Sequence, residues 1–174
     1  KILLFDIESK TIVKTIFEES KNAITAFAFN HSGKWMASGD SKGNIKIWDT
    51  KNYTLIETLE GHRSRIYDID FSPDDQLVAS TSLDGTVRMW DCSNINNQPV
   101  VLTDHESWVL SIAFSPDGKR LITSSNQKER ILVWSTTTEQ MAKDLKPFLE
   151  RNMTTDEWNV FVAKDVDYEK TLSK

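Results

Sequence analysis

The chain has 174 residues, 39% of them hydrophobic, and a formal net charge of −5 from 21 Lys and Arg against 26 Asp and Glu. That size suits a sizeable buried core, while interspersed acidic charge disfavours a surface that neutralises many phosphates. A single cysteine, Cys92, excludes an intrachain disulfide framework and suits a reducing compartment, and no apolar stretch approaches the ~20 residues of a membrane helix.

The chain opens, without a Met, on Lys1-Ile2-Leu3-Leu4-Phe5-Asp6, which aligns with Asn44 to Asp49 further along. Residues 1–20 therefore read as the outer strands of a unit that begins upstream. The next unit, 21–60, offers strands Ile24 to Asn30, Trp35 to Gly39, Asn44 to Asp49 and Thr54 to Glu60. The unit over 61–104 is the clearest. Gly61-His62 precedes Ile66 to Ser72, where Ile66, Asp68 and Asp70 alternate with Tyr67, Ile69 and Phe71 in the period of a strand. Ser72-Pro73-Asp74-Asp75 supplies a turn, Leu77 to Ser82 a second strand, Asp84-Gly85 a two-residue hairpin signal, and Thr86 to Asp91 and Pro99 to Leu102 two more strands. The unit over 105–139 repeats the pattern as Val109 to Ser115, Arg120 to Ser125 and Ile131 to Ser135, with one residue inserted in the turn Gln127-Lys128-Glu129-Arg130. Ile45-Lys46-Ile47-Trp48-Asp49 thus recurs as Val87-Arg88-Met89-Trp90-Asp91 and Ile131-Leu132-Val133-Trp134-Ser135, at spacings of 42 and 44 residues. A repeat of roughly 40–45 residues ending in Trp-Asp marks a four-stranded propeller blade.

Over 140–174 the pattern changes. Ala142, Leu145, Phe148 and Leu149 fall at helical spacings between Gln140 and Leu149, broken by Pro147. Thr154 stands three residues before Glu157 as a capping box, ahead of Trp158, Phe161 and Val162 on one helical face. An apolar stripe must be buried, so Leu145, Phe148, Leu149 and Trp158 are expected to dock beneath the preceding blade as a clasp.

With Gly61-His62, Ser72-Pro73-Asp74, Asp84-Gly85 and Trp90-Asp91 in order and in phase, residues 1 to 138 resemble a WD-repeat β-propeller. The resemblance implies an all-β fold of four-stranded antiparallel blades, three whole repeats plus a partial one, followed by a short helical tail. Because such rings close with ~4–8 blades, the chain reads as the C-terminal part of a longer polypeptide. The segment Leu149 to Trp158, followed by Tyr168-Glu169-Lys170-Thr171, is similar to tails behind the propeller in bacterial signal-transduction (STAND-type) NTPases. Glu150 stands where those tails commonly have Gly, and the usual Cys after the final Thr is missing.

His62, Ser80 and Asp84 are the residue types that acyl transfer needs. The resemblance implies a structural role instead: a hydrogen-bonded tetrad of His62, Ser80, Asp84 and Trp90, met again as His105, Thr123 and Trp134 and in part as Ser38 and Trp48. Ser20 and Lys42 occupy the His and Asp positions of the first repeat, and Gln127 or Lys128 the Asp position of the third. His31, His62 and His105 with Cys92 show no metal-ligand spacing, and six scattered glycines form no phosphate loop. No catalytic, metal or cofactor residue is assigned.

By the same resemblance, the top-face rim is formed by Ala23, Thr25 and Ser41, then Arg65, Tyr67 and Leu83, then Trp108, Leu110 and Asn126. Arg, Tyr and Trp are enriched at interface hot spots, although core packing explains some positions equally well and Leu110 has the alternative of facing the sheet interior. The expected function is a non-catalytic protein-interaction or ligand-sensing module. The resemblance makes it the cytoplasmic C-terminal sensor of a larger bacterial NTPase or effector. Its partners would be a protein or peptide at the top face and upstream domains, with neither nucleic acid nor membrane. A scaffold without a sensing role, or an accessory domain of a protease or nuclease with its active site upstream, remains the alternative.

Overall fold

The computed structural model describes residues 2–16, 22–126 and 131–145. Strands β1 (Ile2–Asp6) and β2 (Thr11–Ile16) form a two-stranded sheet. β3 (Ile24–Phe29), β4 (Trp35–Asp40), β5 (Ile45–Asp49) and β6 (Leu55–Leu59) form the first full blade. β7 (Ile66–Phe71), β8 (Leu77–Ser82), β9 (Val87–Asp91) and β10 (Val100–Leu102) form the middle blade, and β11 (Val109–Phe114), β12 (Arg120–Ser125) and β13 (Ile131–Ser135) the third. Every pairing is antiparallel and joins neighbours in sequence, so each sheet is a meander and the whole is a piece of β-propeller. The strands fall within one residue of the ends that alternation and turn residues predict.

Each blade turns a Trp-bearing face to the blade before it and an aliphatic face to the blade after. Ala37, Ile45 and Ile47 of the first blade pack on Ile66, Ile69, Phe71, Val78 and Trp90 of the middle one. Ala79, Val87 and Met89 then pack on Val109, Ile112 and Leu121 of the third, with Trp134 alongside. β1 and β2 cover the first blade through Ile2, Leu4 and Ile16 against Met36 and Trp48. On the third blade the corresponding aliphatic positions, Ile122, Ile131 and Val133, are 41, 67 and 54% exposed. Burial of such side chains contributes about 1.5–3 kcal/mol each, and this stacking is what makes neighbouring blades cooperative.

Polar contacts add direction to the stacking. Asp75 adopts φ of 61°, where the matching turn positions are Gly33 and Gly118 at 70°. Its carboxylate accepts the N–H groups of His31 and Ser32 at 2.7 and 2.9 Å and the Asn30 side-chain amide at 3.1 Å. The left-handed conformation of a non-glycine residue is thus held by bonds to the adjacent blade. On the other side Asp70 accepts the Phe114 N–H at 2.8 Å, and Asp68 accepts from the Ile112 N–H at 3.1 Å and the Ser111 hydroxyl at 3.2 Å.

The helix α1 (Thr138–Leu145) begins two residues before the predicted start because the Thr137 hydroxyl caps it, accepting the Gln140 N–H at 3.2 Å. Asp144 ties it to the third blade by accepting both terminal nitrogens of Arg120 at 3.2 Å and the Ser135 hydroxyl. The docking expected of Leu145, Phe148, Leu149 and Trp158, the second helical pattern and the Gln127–Arg130 insertion lie outside the described residues and side chains.

Candidate interaction surface

In the middle blade His62 Nδ1 lies 3.0 Å from Asp84 Oδ2 and Nε2 lies 2.8 Å from Ser80 Oγ. Asp84 also accepts the N–H groups of Arg63 and Thr86 at 2.8 and 3.0 Å and the Thr86 hydroxyl at 2.7 Å. Burial pushes the Asp84 carboxyl up, but hydrogen bonds from His62, Arg63 and Thr86 outweigh it and hold the group well below the usual carboxylate range. Ser80 is fully buried and His62 nearly so. A nucleophile must reach a substrate carbonyl, so this Ser-His-Asp set is a closed structural network and not an acyl-transfer site.

The Trp member differs among blades. Trp48 Nε1 donates to Ser38 Oγ at 2.9 Å and Trp134 Nε1 to Thr123 Oγ1 at 2.8 Å, the latter also 2.7 Å from His105 Nε2. Among the described residues no such bond joins the Trp90 indole to Ser80. The Trp90 ring packs edge-on to His62, with centroids 6.1 Å apart at 66°. The same edge packing joins His105 and Trp134 at 6.1 Å and 60°, so the middle blade keeps the ring contact of the third blade and differs from it in lacking the expected indole bond.

The first blade anchors its hairpin from another position. Lys42 and Ser20 stand at its Asp and His positions, and Ser20 lies outside the described residues. The blade nevertheless has a buried carboxylate, Asp40, two residues earlier. Asp40 Oδ1 accepts the N–H groups of Lys42 and Asn44 at 2.7 and 3.0 Å, and Oδ2 accepts the side-chain amides of Asn22 and Asn44 at 2.9 and 2.8 Å. Burial opposes its charge, yet these four bonds hold its pKa below the ordinary value. The Gln127 and Lys128 positions of the third blade lie outside the described residues.

At one end of the blades the rim positions are pinned in a threefold pattern. Ser41 N–H donates to Ala23 carbonyl, Leu83 to Arg65 and Asn126 to Trp108, each at 2.9 Å. Each bond ties the loop after the second strand to the start of the innermost strand. One residue further on, all three innermost strands shift register, between Ile24 and Ala26, Ile66 and Asp68, and Val109 and Ser111. The skipped residues are Thr25, Tyr67 and Leu110. Such bulges re-aim side chains at sheet edges and sites, and nothing in the alternating pattern announces them.

What the bulges display differs by blade. Thr25 is committed between blades, its hydroxyl donating to the Ile66 carbonyl at 2.6 Å. Arg65 is exposed, with Cζ 5.8 Å above the half-buried Tyr67 ring, a cation–π distance. Trp108 is 48% and Leu110 38% exposed. Leu83 is half-buried and Asn126 exposed beside them. Ala23 is exposed and Ser41 half-buried on the first blade. The surface thus carries a preset Arg-aromatic pair and an open indole on a rigid support. Among the described residues no group of three His, Cys, Asp or Glu gathers as a metal site, and no helix is long and apolar enough to cross a membrane.

The family described as WD domain, G-beta repeat matches residues 10–49, 53–91 and 96–135. WD repeat and SOCS box-containing protein 1 of Homo sapiens is 36% identical over 63% of this chain, a stretch that covers 26% of that protein. The Target of rapamycin complex subunit wat1 of Schizosaccharomyces pombe is 28% identical over 86% of this chain and 47% of its own length. A subunit of Chromatin assembly factor 1 from Gallus gallus is 31% identical over 78% of this chain and 28% of its own length. The chain therefore spans between about a quarter and a half of these relatives. A chain in a crystal structure of the Mitotic Checkpoint Complex superposes with a TM-score of 0.67 at 21% identity, over 76% of this chain and 41% of that one, a likeness of fold.

Proposed function

This chain belongs to the WD-repeat family, and from that premise we propose that it is a recognition module whose rim residues Arg65, Tyr67 and Trp108 bind a protein or peptide partner. The observation that carries this reading is the threefold pinned rim, in which bulged innermost strands display an Arg stacked on Tyr and an indole 48% exposed. Preset side chains lose little entropy on binding, and aromatic and Arg anchors carry much of the energy of interfaces. Relatives named as subunits of a complex or an assembly factor support the same reading.

The finer proposal is a sensor within a larger signal-transduction NTPase or effector, in which rim binding is passed to upstream domains of the same polypeptide. Its support is the tail motif between Leu149 and Thr171 alone, and the relatives reported above are eukaryotic. A cytoplasmic setting fits the lone Cys92, whose thiol burial pushes up to about 12, out of reach of ready oxidation. A scaffold without sensing is the second reading, favoured by the assembly subunits among the relatives.

The test is to pan a displayed random peptide library on the chain, counter-selecting on the Arg65→Ala/Tyr67→Ala/Trp108→Ala variant. Enriched peptides that lose affinity at least roughly tenfold on the triple variant support the rim. Peptides that bind both proteins alike, or a selection yielding no rim-dependent peptide, reject it.

A further inference from the structure

The innermost strands β3, β7 and β11 start at the rim and run to the opposite end of the blades, and there they enclose a second feature. A cavity of about 410 Å³ opens among His31, Asp70, Phe71, Pro73, Phe114 and Pro116, drawn from all three blades. Its walls are rings and prolines, and its one carboxylate is Asp70. The repeat does not ask for that carboxylate, since Ala28 and Ala113 hold the same register position in the flanking blades. Asp70 Oδ2 accepts the Phe114 N–H at 2.8 Å, which fixes the carboxylate at the wall between two blades. Asp68 on the same strand adds negative charge, and His31 at the mouth leans to Asp75, with Nδ1 3.6 Å from Oδ1.

Burial, and then the charge of Asp68, push the Asp70 carboxyl up from its ordinary value against the bonds from Phe114 and Phe71 and the influence of His31. The negative charge is incompletely compensated where it sits. A planar, weakly hydrated guanidinium suits such a place, because it pairs with a carboxylate while its faces lie on aromatic or proline surfaces.

We propose that the cavity at the far end of the innermost strands is a second binding site, taking the arginine side chain of a peptide partner, with Asp70 as the charge partner and Phe114, Pro73 and Pro116 as walls. It lies at the opposite end of β7 from Arg65 and Tyr67, so the two sites can be occupied together. Two weak contacts on one partner then act through effective concentration.

The probe is Nα-acetyl-arginine methylamide, titrated into the isotope-labelled 174-residue chain and followed by NMR, beside its neutral isostere Nα-acetyl-citrulline methylamide. Saturable shifts centred on His31, Asp70 and Phe114, at least roughly tenfold weaker with citrulline or in Asp70→Asn, are expected. The rim triple variant should bind the probe unchanged. If Asp70→Asn does not fold, the arginine against citrulline comparison on the unaltered chain decides alone. Equal response to both compounds, shifts centred elsewhere, or no saturable shift at these residues overturns the proposal.

Discussion

The first and middle blades hold the same hairpin with a carboxylate, buried in the first and half-buried in the middle one, from different register positions. Asp84 sits in the turn and collects His62, Arg63 and Thr86, whereas Asp40 ends the second strand and collects Asn22, Lys42 and Asn44. In the middle blade the position matching Asp40 is Ser82, whose hydroxyl accepts the Asp84 N–H at 3.1 Å. What the hairpin requires is an acceptor for each of two turn amides and a partner across the blade; Asp40 takes both amides itself, whereas in the middle blade Ser82 takes one and Asp84 the other. An Asp missing at one position therefore does not make a blade unanchored.

The largest effect should come from removing Asp84. Asp84→Ala leaves His62 Nδ1 and two amides without their acceptor and should lower stability by about 3 kcal/mol, measured by urea unfolding. Asp40→Ser should lose about 2 kcal/mol by the same reasoning. Adding Lys42→Asp rebuilds the middle-blade arrangement and should restore about half of that loss. If the double variant is no more stable than Asp40→Ser, the two anchors are not equivalent.

Acid sharpens the comparison through linkage. Both carboxyls are depressed in the folded chain, so their stabilisation is complete above the unfolded value of about 4 and is lost as pH falls through their folded values. Asp70 is raised and acts in the opposite sense, its protonation on acidification favouring the folded state. The fall in stability from pH 5 to pH 3 should flatten in Asp84→Asn and steepen in Asp70→Asn, within the ~1 kcal/mol range of such single groups. A pH profile unchanged in Asp84→Asn contradicts the anchor.

A smaller difference separates the tryptophans. Trp90 makes no indole bond to Ser80, so Trp90→Phe should lose only packing, about 1–2 kcal/mol. Trp48→Phe also takes the donor from buried Ser38 and should lose roughly 1 kcal/mol more. Equal melting shifts for the two variants remove this distinction.

Strands and turns were legible because period-two alternation and the Pro-Asp and Asp-Gly signals are local and recur in phase. Asp40 was not, because register matching looks for an acceptor at one position, while hydrogen bonding needs only an oxygen within reach. The bulges at Thr25, Tyr67 and Leu110 add a residue without altering composition, so only paired strands reveal them. The carboxylates of Asp68, Asp70 and Asp75 act between blades, a relation to which the pattern of a single repeat is blind. For the helix, the Thr137 cap lies outside the apolar spacing that marks Gln140 to Leu149, so that spacing alone places the start too late.

The hydrogen-bonded anchors hold the blades, whereas the rim residues Arg65, Tyr67 and Trp108 carry the proposed recognition. The most direct test measures, on one selected peptide, both melting temperature and Kd for the Arg65→Ala/Tyr67→Ala/Trp108→Ala variant. Predicted is a melting temperature within a few degrees of the unaltered chain, as surface substitutions of about ±0.5 kcal/mol each allow, with Kd raised at least roughly tenfold. An unchanged Kd in a variant that melts normally contradicts the assignment of recognition to this rim.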